Sequence, residues 1–354
     1  MLAMREVYRI LDANFNRARE ALRVAEDFAR FVLDDAGLSE QAKTLRGQLQ
    51  RVYQAMPSAE LLAARDTVGD VGAAITTETE RLRPTPLSVA RAACKRLTEA
   101  LRTLEEYAKL VAPPQAGLLE QLRYRAYTFE QRLIGRAELA GRFDRVRVYL
   151  LLTSQMCQGD PLEVARRAIE GGVDCVQLRE KTLAGGAFLS LARRLRELTS
   201  QTGTLLIIND RPDIAALAGA DGVHLGQDDL PVAEARRIAG PGRLVGFSTH
   251  TLEQARSACQ AGADYIGVGP MFATATKDAG PLAGPAFFRQ VAGEIHLPHV
   301  AIGGISLANL GQLVEAVRDL PAPVTLRVAL CGAILSASDP AAAVRAIRGA
   351  MGAL

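Results

Sequence analysis

The strongest constraint on the fold is a series of eight short apolar runs from residue 148 onward. The runs occupy residues 148–152, 175–178, 205–208, 222–225, 244–246, 265–268, 300–302 and 326–330. Amphipathic stretches long enough for a helix separate them, which is typical of parallel strands that helices cover on both faces. We therefore predict an α/β fold, a (β/α)8 or TIM barrel, and keep a doubly wound open sheet as the alternative.

The first part of the chain has a helical pattern that occurs twice. Apolar residues spaced alternately by four and three positions cover residues 11–32 and again residues 90–111. The polar sequence Arg-x-x-Glu-Ala-Leu-Arg-x-x-Glu at residues 17–26 also recurs, at residues 96–105. This internal duplication predicts two equivalent long helices in a bundle.

A further helical stretch follows each copy, at residues 40–54 and 118–133, and residues 65–72 are a Gly- and Asp-rich loop. No strand pattern accompanies these helices, so the region is predicted to be all-α. The predicted organisation is an all-α helical bundle domain over residues 1–135, a linker over residues 136–146 and the barrel over residues 147–354.

Composition narrows the class of protein. Of the 354 residues, 49% are hydrophobic and 23% are charged, which is ordinary for a globular chain. No apolar run is long enough for a membrane span and no signal peptide is evident. The five cysteines are scattered, so we expect neither disulfides nor a zinc site, and a cytoplasmic location. A net charge of +3 with interleaved acidic residues argues against a nucleic-acid partner and leaves a homo-oligomer open.

Two aspartates follow neighbouring predicted strands. Asp210 follows the run at residues 205–208, and Asp229 follows the run at residues 222–225. Parallel strands joined by a helix place both carboxylates at the same edge of the sheet. Carboxylate oxygens are ligands that Mg²⁺ prefers, so the pair predicts a Mg²⁺ site, although a lone aspartate there would more often cap a helix.

Cations and an amide follow the second predicted strand, in the sequence Gln-Leu-Arg-Glu-Lys at residues 177–181. Strand alternation directs Gln177, Arg179 and Lys181 to one side. Arginine offers a forked contact to phosphate and lysine a point charge, so we predict that this segment binds an anionic ligand.

Ser248 and His250 follow the fifth predicted strand. Ser248 has no evident general base in the sequence, which disfavours a serine hydrolase. His250 is more typical of a helix start or a packing position than of a catalyst.

Three later segments suit phosphate binding. Residues 267–278 form a long glycine-rich loop with two threonines and a lysine, which suits a loop that closes over a substrate. Glycines at residues 303–304 and 332 follow the seventh and eighth strands, where backbone N–H groups commonly meet phosphate in barrels of this kind. Together they predict a phosphorylated substrate.

These motifs occur in one order and register that closely resembles the thiamine phosphate synthase family. The shared sequences, within residues 148–354, are Gln-Leu-Arg-Glu-Lys, Asn-Asp, His-Leu-Gly-Gln-Asp-Asp, Gly-Phe-Ser-x-His, Thr-x-Thr-Lys and Gly-Gly-Ile. The resemblance implies that a pyrimidine diphosphate is bound by Gln177, Leu178, Arg179, Glu180, Lys181, Asn209, Ser248 and Lys277. It implies that a thiazole phosphate is bound by Thr274, Thr276, Gly304, Cys331 and Gly332. Of these, it makes Arg179, Lys181, Lys277 and Ser248 the catalytic set, with Mg²⁺ on Asp210 and Asp229.

The resemblance also implies an alkyl transfer in which the thiazole nitrogen replaces pyrophosphate on the pyrimidine CH₂ group. This family often has serine where Gly332 stands, so one side-chain contact to phosphate is lost while the backbone contact can remain. Two alternatives stay open. One is a thiazole tautomerase-like barrel, and the other is a non-catalytic ligand-binding barrel.

The helical domain resembles a module found fused to such synthases and assigned as a hydroxymethylpyrimidine phosphate kinase. The resemblance rests on residues 12–20, on Asp-Val-Gly at 70–72 and on Lys-Arg-x-x-Glu-Ala-Leu-Arg at 95–102. It implies ATP as a cofactor. The candidate residues are Asn14, Asn16, Arg17, Arg19, Glu20, Arg23, Lys95, Arg96 and Arg102. The sequence has no Gly-x-x-x-x-Gly-Lys-[Ser/Thr] motif, so the alternative is a bundle for dimerisation or docking.

Overall fold

The computed structural model describes residues 2–72, 75, 82–273, 282–320 and 324–352, with side chains from residue 4 onward. The chain divides into two compact units, residues 1–137 and residues 138–354. None of the helices in these described ranges has the length and apolarity needed to cross a membrane.

The first unit is helical throughout its described secondary structure, and the predicted helices are present. Its elements are α1 (Leu2–Phe31), α2 (Ala36–Gln54), α3 (Ser58–Ala63), α4 (Pro86–Val111) and α5 (Pro113–Asp144), the last of which ends in the second unit. Helix α4 begins with a capping box in which Thr85 and Ser88 satisfy each other's backbone N–H groups. Because α5 runs through residues 136–144, most of the predicted linker is helical.

The sequence duplication has a counterpart in the packing of the bundle. Glu26 on α1 is buried and forms an ion pair with Arg46 on α2. Glu105, the equivalent residue on α4, is buried and accepts a 2.8 Å hydrogen bond from Arg123 on α5. A buried carboxylate needs such a partner, so each copy of the repeat joins its long helix to the next helix in the same way.

The second unit is a closed barrel of parallel strands, which confirms the predicted fold and excludes the open sheet. The strands are β1 (Val148–Leu152), β2 (Cys175–Leu178), β3 (Leu205–Asn209), β4 (Gly222–Leu225), β5 (Leu244–Thr249), β6 (Tyr265–Val268), β7 (His299–Ile302) and β8 (Val328–Leu330). Each strand pairs with its successor, and β8 pairs with β1.

Helices alternate with these strands around the barrel. They are α6 (Pro161–Glu170), α7 (Gly185–Thr202), α8 (Pro212–Leu217), α9 (Val232–Ala239), α10 (Leu252–Gln260), α11 (Gly284–Glu294), α12 (Leu310–Arg318), α13 (Gly332–Leu335) and α14 (Pro340–Met351). Strand residues that face the helices are almost all aliphatic and fully buried, so burial of this layer stabilises the barrel wall.

The N-terminal end of the barrel is fastened by aspartates that precede every second strand. Asp174, Asp221 and Asp264 stand immediately before β2, β4 and β6. Each accepts a hydrogen bond from a backbone N–H at the beginning of the preceding strand, at distances of 2.9, 2.9 and 2.6 Å respectively. Each also contacts an arginine from an outer helix, so all three carboxylates are occupied in holding strand ends.

Candidate active site

Two carboxylates and a lysine meet at the C-terminal ends of β3 and β4. Lys181 forms an ion pair with the Oδ2 atom of Asp210. Asp229 lies beside Asp210 and accepts a 2.6 Å hydrogen bond from the backbone N–H of Gly226. Burial raises the pKa of Asp229, and the adjacent carboxyl of Asp210 raises the pKa further, while the Gly226 contact lowers it. The sequence placed these residues at one edge, and here they are neighbours.

The backbone of Asp210 supports a functional role for this edge. Its φ angle is +61°, in the left-handed region that residues other than glycine seldom adopt. A 2.8 Å hydrogen bond from its N–H to the carbonyl of His224 holds it there. Conformations of this kind concentrate at functional sites, because the surrounding structure must maintain them against their cost.

The Asp210–Asp229 pair fits Mg²⁺. Neighbouring like-charged carboxylates disfavour each other's ionised form, and a bound divalent cation would remove that repulsion. Magnesium commonly takes one or two protein carboxylates and completes its shell with water and substrate phosphates. No cluster of three or more His, Cys, Asp or Glu side chains suited to a metal occurs in the described ranges, so a site that relies on substrate oxygens is the kind these residues could form.

The residues after β2 divide among different surroundings. Gln177 is buried and its Nε2 donates a 2.8 Å hydrogen bond to the hydroxyl of Tyr149. Leu178 is fully buried in the strand, whereas Arg179 is partly exposed. Burial raises the pKa of the Cys331 thiol, and the positive charge of Arg179 lowers it in part. Glu180 accepts 2.7 Å hydrogen bonds from the N–H and the hydroxyl of Ser154. Its carboxylate therefore holds the loop after β1.

A chain of hydrogen bonds crosses the barrel interior and ends at Ser248 on β5. From the Gln177–Tyr149 contact it continues through the two hydroxyls of Tyr149 and Tyr265, 3.0 Å apart. The Tyr265 hydroxyl lies 3.1 Å from Nδ1 of His224, whose Nε2 lies 2.9 Å from Oγ of Ser248. Burial raises the pKa of both tyrosines well above its usual value, so both hydroxyls keep their protons.

Two glycines make room for the imidazole in this chain. A Cβ atom on Gly246 would lie 2.5 Å from Nδ1 of His224 and 2.1 Å from Cζ of Tyr265. A Cβ atom on Gly267 would lie 3.3 Å from Cε1 of His224. The space that the His224 imidazole and the Tyr265 ring occupy therefore depends on the absence of a side chain on Gly246.

The predicted thiazole phosphate end is only partly described. Gly304 adopts a φ angle of +62°, and a Cβ atom there would lie 2.4 Å from the carbonyl oxygen of Ala273. The loop after β7 thus packs closely on the loop after β6. Cys331 is partly buried and precedes Gly332, the first residue of α13. Thr274, Thr276 and Lys277 lie outside the described residues.

Asn209 and His250 complete the predicted residues of the barrel. Asn209 ends β3 and is 8% exposed, with its Cα paired to that of His224. His250 places Nδ1 2.6 Å from the carbonyl oxygen of Gly269. That contact ties the end of β5 to the loop after β6, which agrees with the packing role expected for His250.

The helical-domain candidates fall into two groups. In the first copy, Asn16 donates to the carbonyl of Asp12 at 3.0 Å and accepts from Arg19 at 2.6 Å. The buried carboxylate of Asp12 binds Arg65, at the start of the loop, through two hydrogen bonds of 2.7 and 2.8 Å. Asn14 is buried and bonds within its own helix.

The remaining candidates are charged residues, and Arg23 and Arg102 are equivalent positions in the two copies. Arg102 lies 2.7 Å from Glu105, and Arg23 lies 4.0 Å from Glu26. Lys95 forms a 3.0 Å ion pair with Glu130. The remaining candidates are exposed, namely Arg17, Glu20 and Arg96. Arg23 and Arg102, which are equivalent residues of the two copies, accompany the buried glutamates that join the helices, and this favours a packing role for both.

Comparison with known proteins accounts for both units. Residues 148–323 match the family model described as thiamine monophosphate synthase, and residues 9–132 match that of the ThiD2 family. The chain is 42% identical to the thiamine-phosphate synthase of Gloeobacter violaceus over 334 residues, which cover 94% of each chain. The chain belongs to the thiamine-phosphate synthase family.

Further relatives agree with this membership. The thiamine-phosphate synthase of a Synechocystis species is 41% identical over 94% of this chain and 93% of its own. A solved structure, the thiamine phosphate pyrophosphorylase of Pyrococcus furiosus, is 31% identical and superposes with a TM-score of 0.53. It covers 59% of this chain and 96% of its own, so it corresponds to the barrel.

The partners of Ser248 were not predicted from the sequence. No base for this serine was evident there, yet His224 lies at hydrogen-bond distance from it, and Tyr149 and Tyr265 extend the contact to Gln177. A signal was present, because a histidine and two tyrosines interrupt otherwise aliphatic strands. A polar residue in a strand buried on both faces needs a partner, which predicts an interior contact without identifying it.

Proposed function

We propose that the barrel condenses the pyrimidine diphosphate with the thiazole phosphate to give thiamine phosphate and pyrophosphate. The observation that carries this proposal is the meeting of Lys181, Asp210 and Asp229 at the C-terminal ends of neighbouring strands. A diphosphate brings negative charge, so it requires cations, and this edge offers a lysine together with a carboxylate pair suited to Mg²⁺.

The reaction needs little covalent help from the protein. The bond between the pyrimidine CH₂ carbon and the diphosphate oxygen breaks, and its electron pair leaves with pyrophosphate. The thiazole ring nitrogen then donates its lone pair to the same carbon, and the aminopyrimidine ring carries the intervening positive charge. Bound Mg²⁺ on Asp210 and Asp229 would neutralise charge on the departing group.

The chain's own residues bind and orient in this mechanism. Arg179 and Lys181 hold diphosphate oxygens and stabilise the charge that develops as the bond breaks. Lys277 has the same assigned role from the family resemblance. Asn209 at the end of β3 and Gln177 in the barrel interior position the pyrimidine, so that the reacting atoms are held in line. Glu180 contributes by holding the loop that carries Ser154.

The thiazole phosphate occupies the opposite part of the barrel mouth in this proposal. Gly304 and Gly332 would supply backbone contacts there, because no side chain blocks an approach to their N–H groups. The charge of Arg179 lowers the pKa of the Cys331 thiol, which burial raises, so the two parts of the site interact electrostatically and the substrates would meet in the mouth between them.

The helical domain would supply the diphosphate substrate. We propose that it transfers a phosphoryl group from ATP to hydroxymethylpyrimidine phosphate, supported by the match of residues 9–132 to the ThiD2 family. Of the predicted residues, Arg19 is the better candidate for a phosphate contact. It is exposed and bonds only Asn16 within the described residues, whereas Arg23 and Arg102 lie beside buried glutamates.

One incubation tests both activities. Full-length protein receives hydroxymethylpyrimidine monophosphate, thiazole phosphate and Mg²⁺, with or without ATP, and thiamine phosphate is measured. We expect product only with ATP. If turnover appears only when the diphosphate is supplied, the barrel's function stands and the helical domain is not the kinase. Absence of product even with the diphosphate would contradict the synthase assignment and favour a binding barrel.

Arginine variants locate the kinase site in the same assay. We expect Arg19→Ala to reduce ATP-dependent product while leaving condensation of supplied diphosphate intact. Arg102→Ala is the matched control, because it removes an exposed arginine from the second copy beside a buried glutamate. Equal ATP-dependent rates in the Arg19→Ala variant and the unmodified protein would place the site elsewhere.

A further inference from the structure

The hydrogen-bond chain inside the barrel has a direction that follows from the number of protons on each group. The Gln177 amide donates to Tyr149, so the Tyr149 oxygen accepts there. A phenol has one proton, and the Tyr149 hydroxyl lies 3.0 Å from that of Tyr265, whose oxygen is a stronger acceptor than the neighbouring thiol of Cys175. The proton of Tyr149 therefore points to Tyr265, whose own proton points to Nδ1 of His224.

This order fixes the tautomer of His224. An imidazole nitrogen that accepts a hydrogen bond carries no proton, so a neutral His224 holds its proton on Nε2. Nε2 lies 2.9 Å from Oγ of Ser248 and donates to it. Ser248 then has no need to give its own proton to His224, and that proton is available to a ligand.

We propose that His224 and Tyr265 are positioning residues that make Ser248 a hydrogen-bond donor toward the pyrimidine diphosphate. Diphosphate oxygens carry negative charge and only accept hydrogen bonds, so a serine with its proton turned inward would present lone pairs to an anion. Chains of hydrogen bonds polarise one another, which strengthens the donor at the end of the chain. The identity of the ligand in this inference rests on the proposed synthase function.

The surroundings of His224 and Ser248 support the assignment. Gln227 donates from Nε2 to the carbonyl oxygen of Ser248 at 2.5 Å, which fixes the backbone that carries the hydroxyl. Gly246 leaves the space in which the imidazole contacts Tyr265. The ring is therefore confined between its two partners and held by neighbours on β5 and β6.

Nitrogen NMR reads the tautomer directly, without any activity measurement. Full-length protein labelled with ¹⁵N-histidine contains four histidines, and the signals of His224 are identified by their loss in His224→Gln. At neutral pH we expect a protonated Nε2 and an unprotonated Nδ1. A protonated Nδ1, alone or together with Nε2, would overturn the proposal.

A double-mutant cycle tests whether His224 acts through Ser248. We expect Ser248→Ala to lower kcat by about 100-fold, the effect of losing one donor to developing charge. His224→Leu should lower kcat in the unmodified protein but change it by less than about twofold in the Ser248→Ala background, because coupled residues are not additive. Equal fold-losses in both backgrounds would contradict the proposal.

Conservative variants separate positioning from folding. His224→Gln keeps a nitrogen donor for Ser248 and should recover part of the kcat lost in His224→Leu. Tyr265→Phe keeps the ring and removes only the hydroxyl. It replaces His224→Leu in the cycle if thermal unfolding shows that His224→Leu is not folded. It should likewise lower kcat in the unmodified protein but hardly change it in the Ser248→Ala background. If the protein shows the expected tautomer but does not condense the substrates, the proposed synthase function fails while the hydrogen-bond order stands. If it condenses them but shows the other tautomer, this inference fails alone.

Discussion

The two ends of the barrel use aspartate in opposite ways. At the N-terminal end, Asp221 accepts a backbone N–H from β3 and contacts Arg196 at 2.7 Å. At the C-terminal end, Asp210 and Asp229 face each other, with Lys181 as the neighbouring cation. The carboxylates at the N-terminal end bind strand backbone and arginine, whereas those at the C-terminal end form a like-charged pair that lowers stability. The difference indicates which end was built for a ligand.

The largest effect that this difference predicts is on stability. Asp221→Ala leaves the partly buried Arg196 and the β3 backbone N–H without their acceptor, so we expect the free energy of unfolding to fall by about 3 to 4 kcal/mol. Denaturant unfolding measures the change, and kcat of the remaining folded protein should be nearly unchanged. A loss of kcat without a loss of stability would contradict the structural role of this end.

A substitution at the other end should have the opposite result. We expect Asp210→Ala to lower kcat by 100-fold or more, on the order of 3 kcal/mol of transition-state stabilisation. Unfolding free energy should change little, because the partner Lys181 is 54% exposed and remains hydrated. Steady-state kinetics with supplied diphosphate checks the first statement. A near-normal kcat would remove Asp210 from the mechanism.

The raised pKa of Asp229 predicts a dependence on pH. A carboxyl with a raised pKa binds its proton more tightly in the folded state, so the metal-free protein is expected to lose stability as pH rises through that pKa. Asp229→Asn should abolish this loss. At neutral pH we expect its free energy of unfolding to exceed that of the unmodified protein by less than about 1 kcal/mol, because the group is partly exposed. Thermal unfolding without metal, from acidic to neutral pH, measures it. An identical profile in both proteins would show that Asp229 is not the source.

In the proposed site, the same carboxyl should govern the binding of Mg²⁺. Mg²⁺ binds the ionised carboxylate, so its affinity should fall as pH decreases through the raised pKa of Asp229, at a higher pH than for an ordinary aspartate. Titration calorimetry at several pH values follows this change. Stabilisation by Mg²⁺ in the unmodified protein, and its loss in Asp229→Asn, would complete the assignment.

The smallest predicted effect adds a group to the mouth of the barrel. A Cβ atom on Gly332 would lie 3.4 Å from Cε of Met156, the flexible end of a side chain, so Gly332→Ser should fit after a small shift. One additional hydrogen bond to phosphate should lower KM for the thiazole phosphate by about twofold to fivefold. Steady-state kinetics checks it, with Gly332→Ala as the control. Equal KM values in the two variants would place the phosphate elsewhere.

The helical domain also contains polar residues with a structural role and polar residues that are candidates for a site. Its two copies share the buried glutamates, Glu26 and Glu105, that pair with an arginine of the following helix. Asp12 and Asn14, both buried and polar, have no like residue in the second copy. Residues common to both copies build the bundle, and those confined to one copy are where a single site would lie.

The order of strands and helices, the barrel, and the edge at which Asp210 and Asp229 meet could all be predicted from the amino-acid sequence. Apolar runs with polar ends suffice for this, because parallel strands place all their C-terminal ends on one side. Those predictions use only neighbours along the chain. The duplication was equally readable, since spacing along a helix decides which face is buried.

The contacts between interior side chains could not be predicted in this way, because they depend on the folded barrel. Tyr149 and Tyr265 lie on β1 and β6, and their hydroxyls meet because the closed barrel brings non-adjacent strands together across its axis. His224 and Ser248 lie on the adjacent strands β4 and β5, so the register of that strand pair decides their contact. Alternation along a strand tells which residues point inward, but the distance between two inward side chains depends on the curvature and register of the whole barrel.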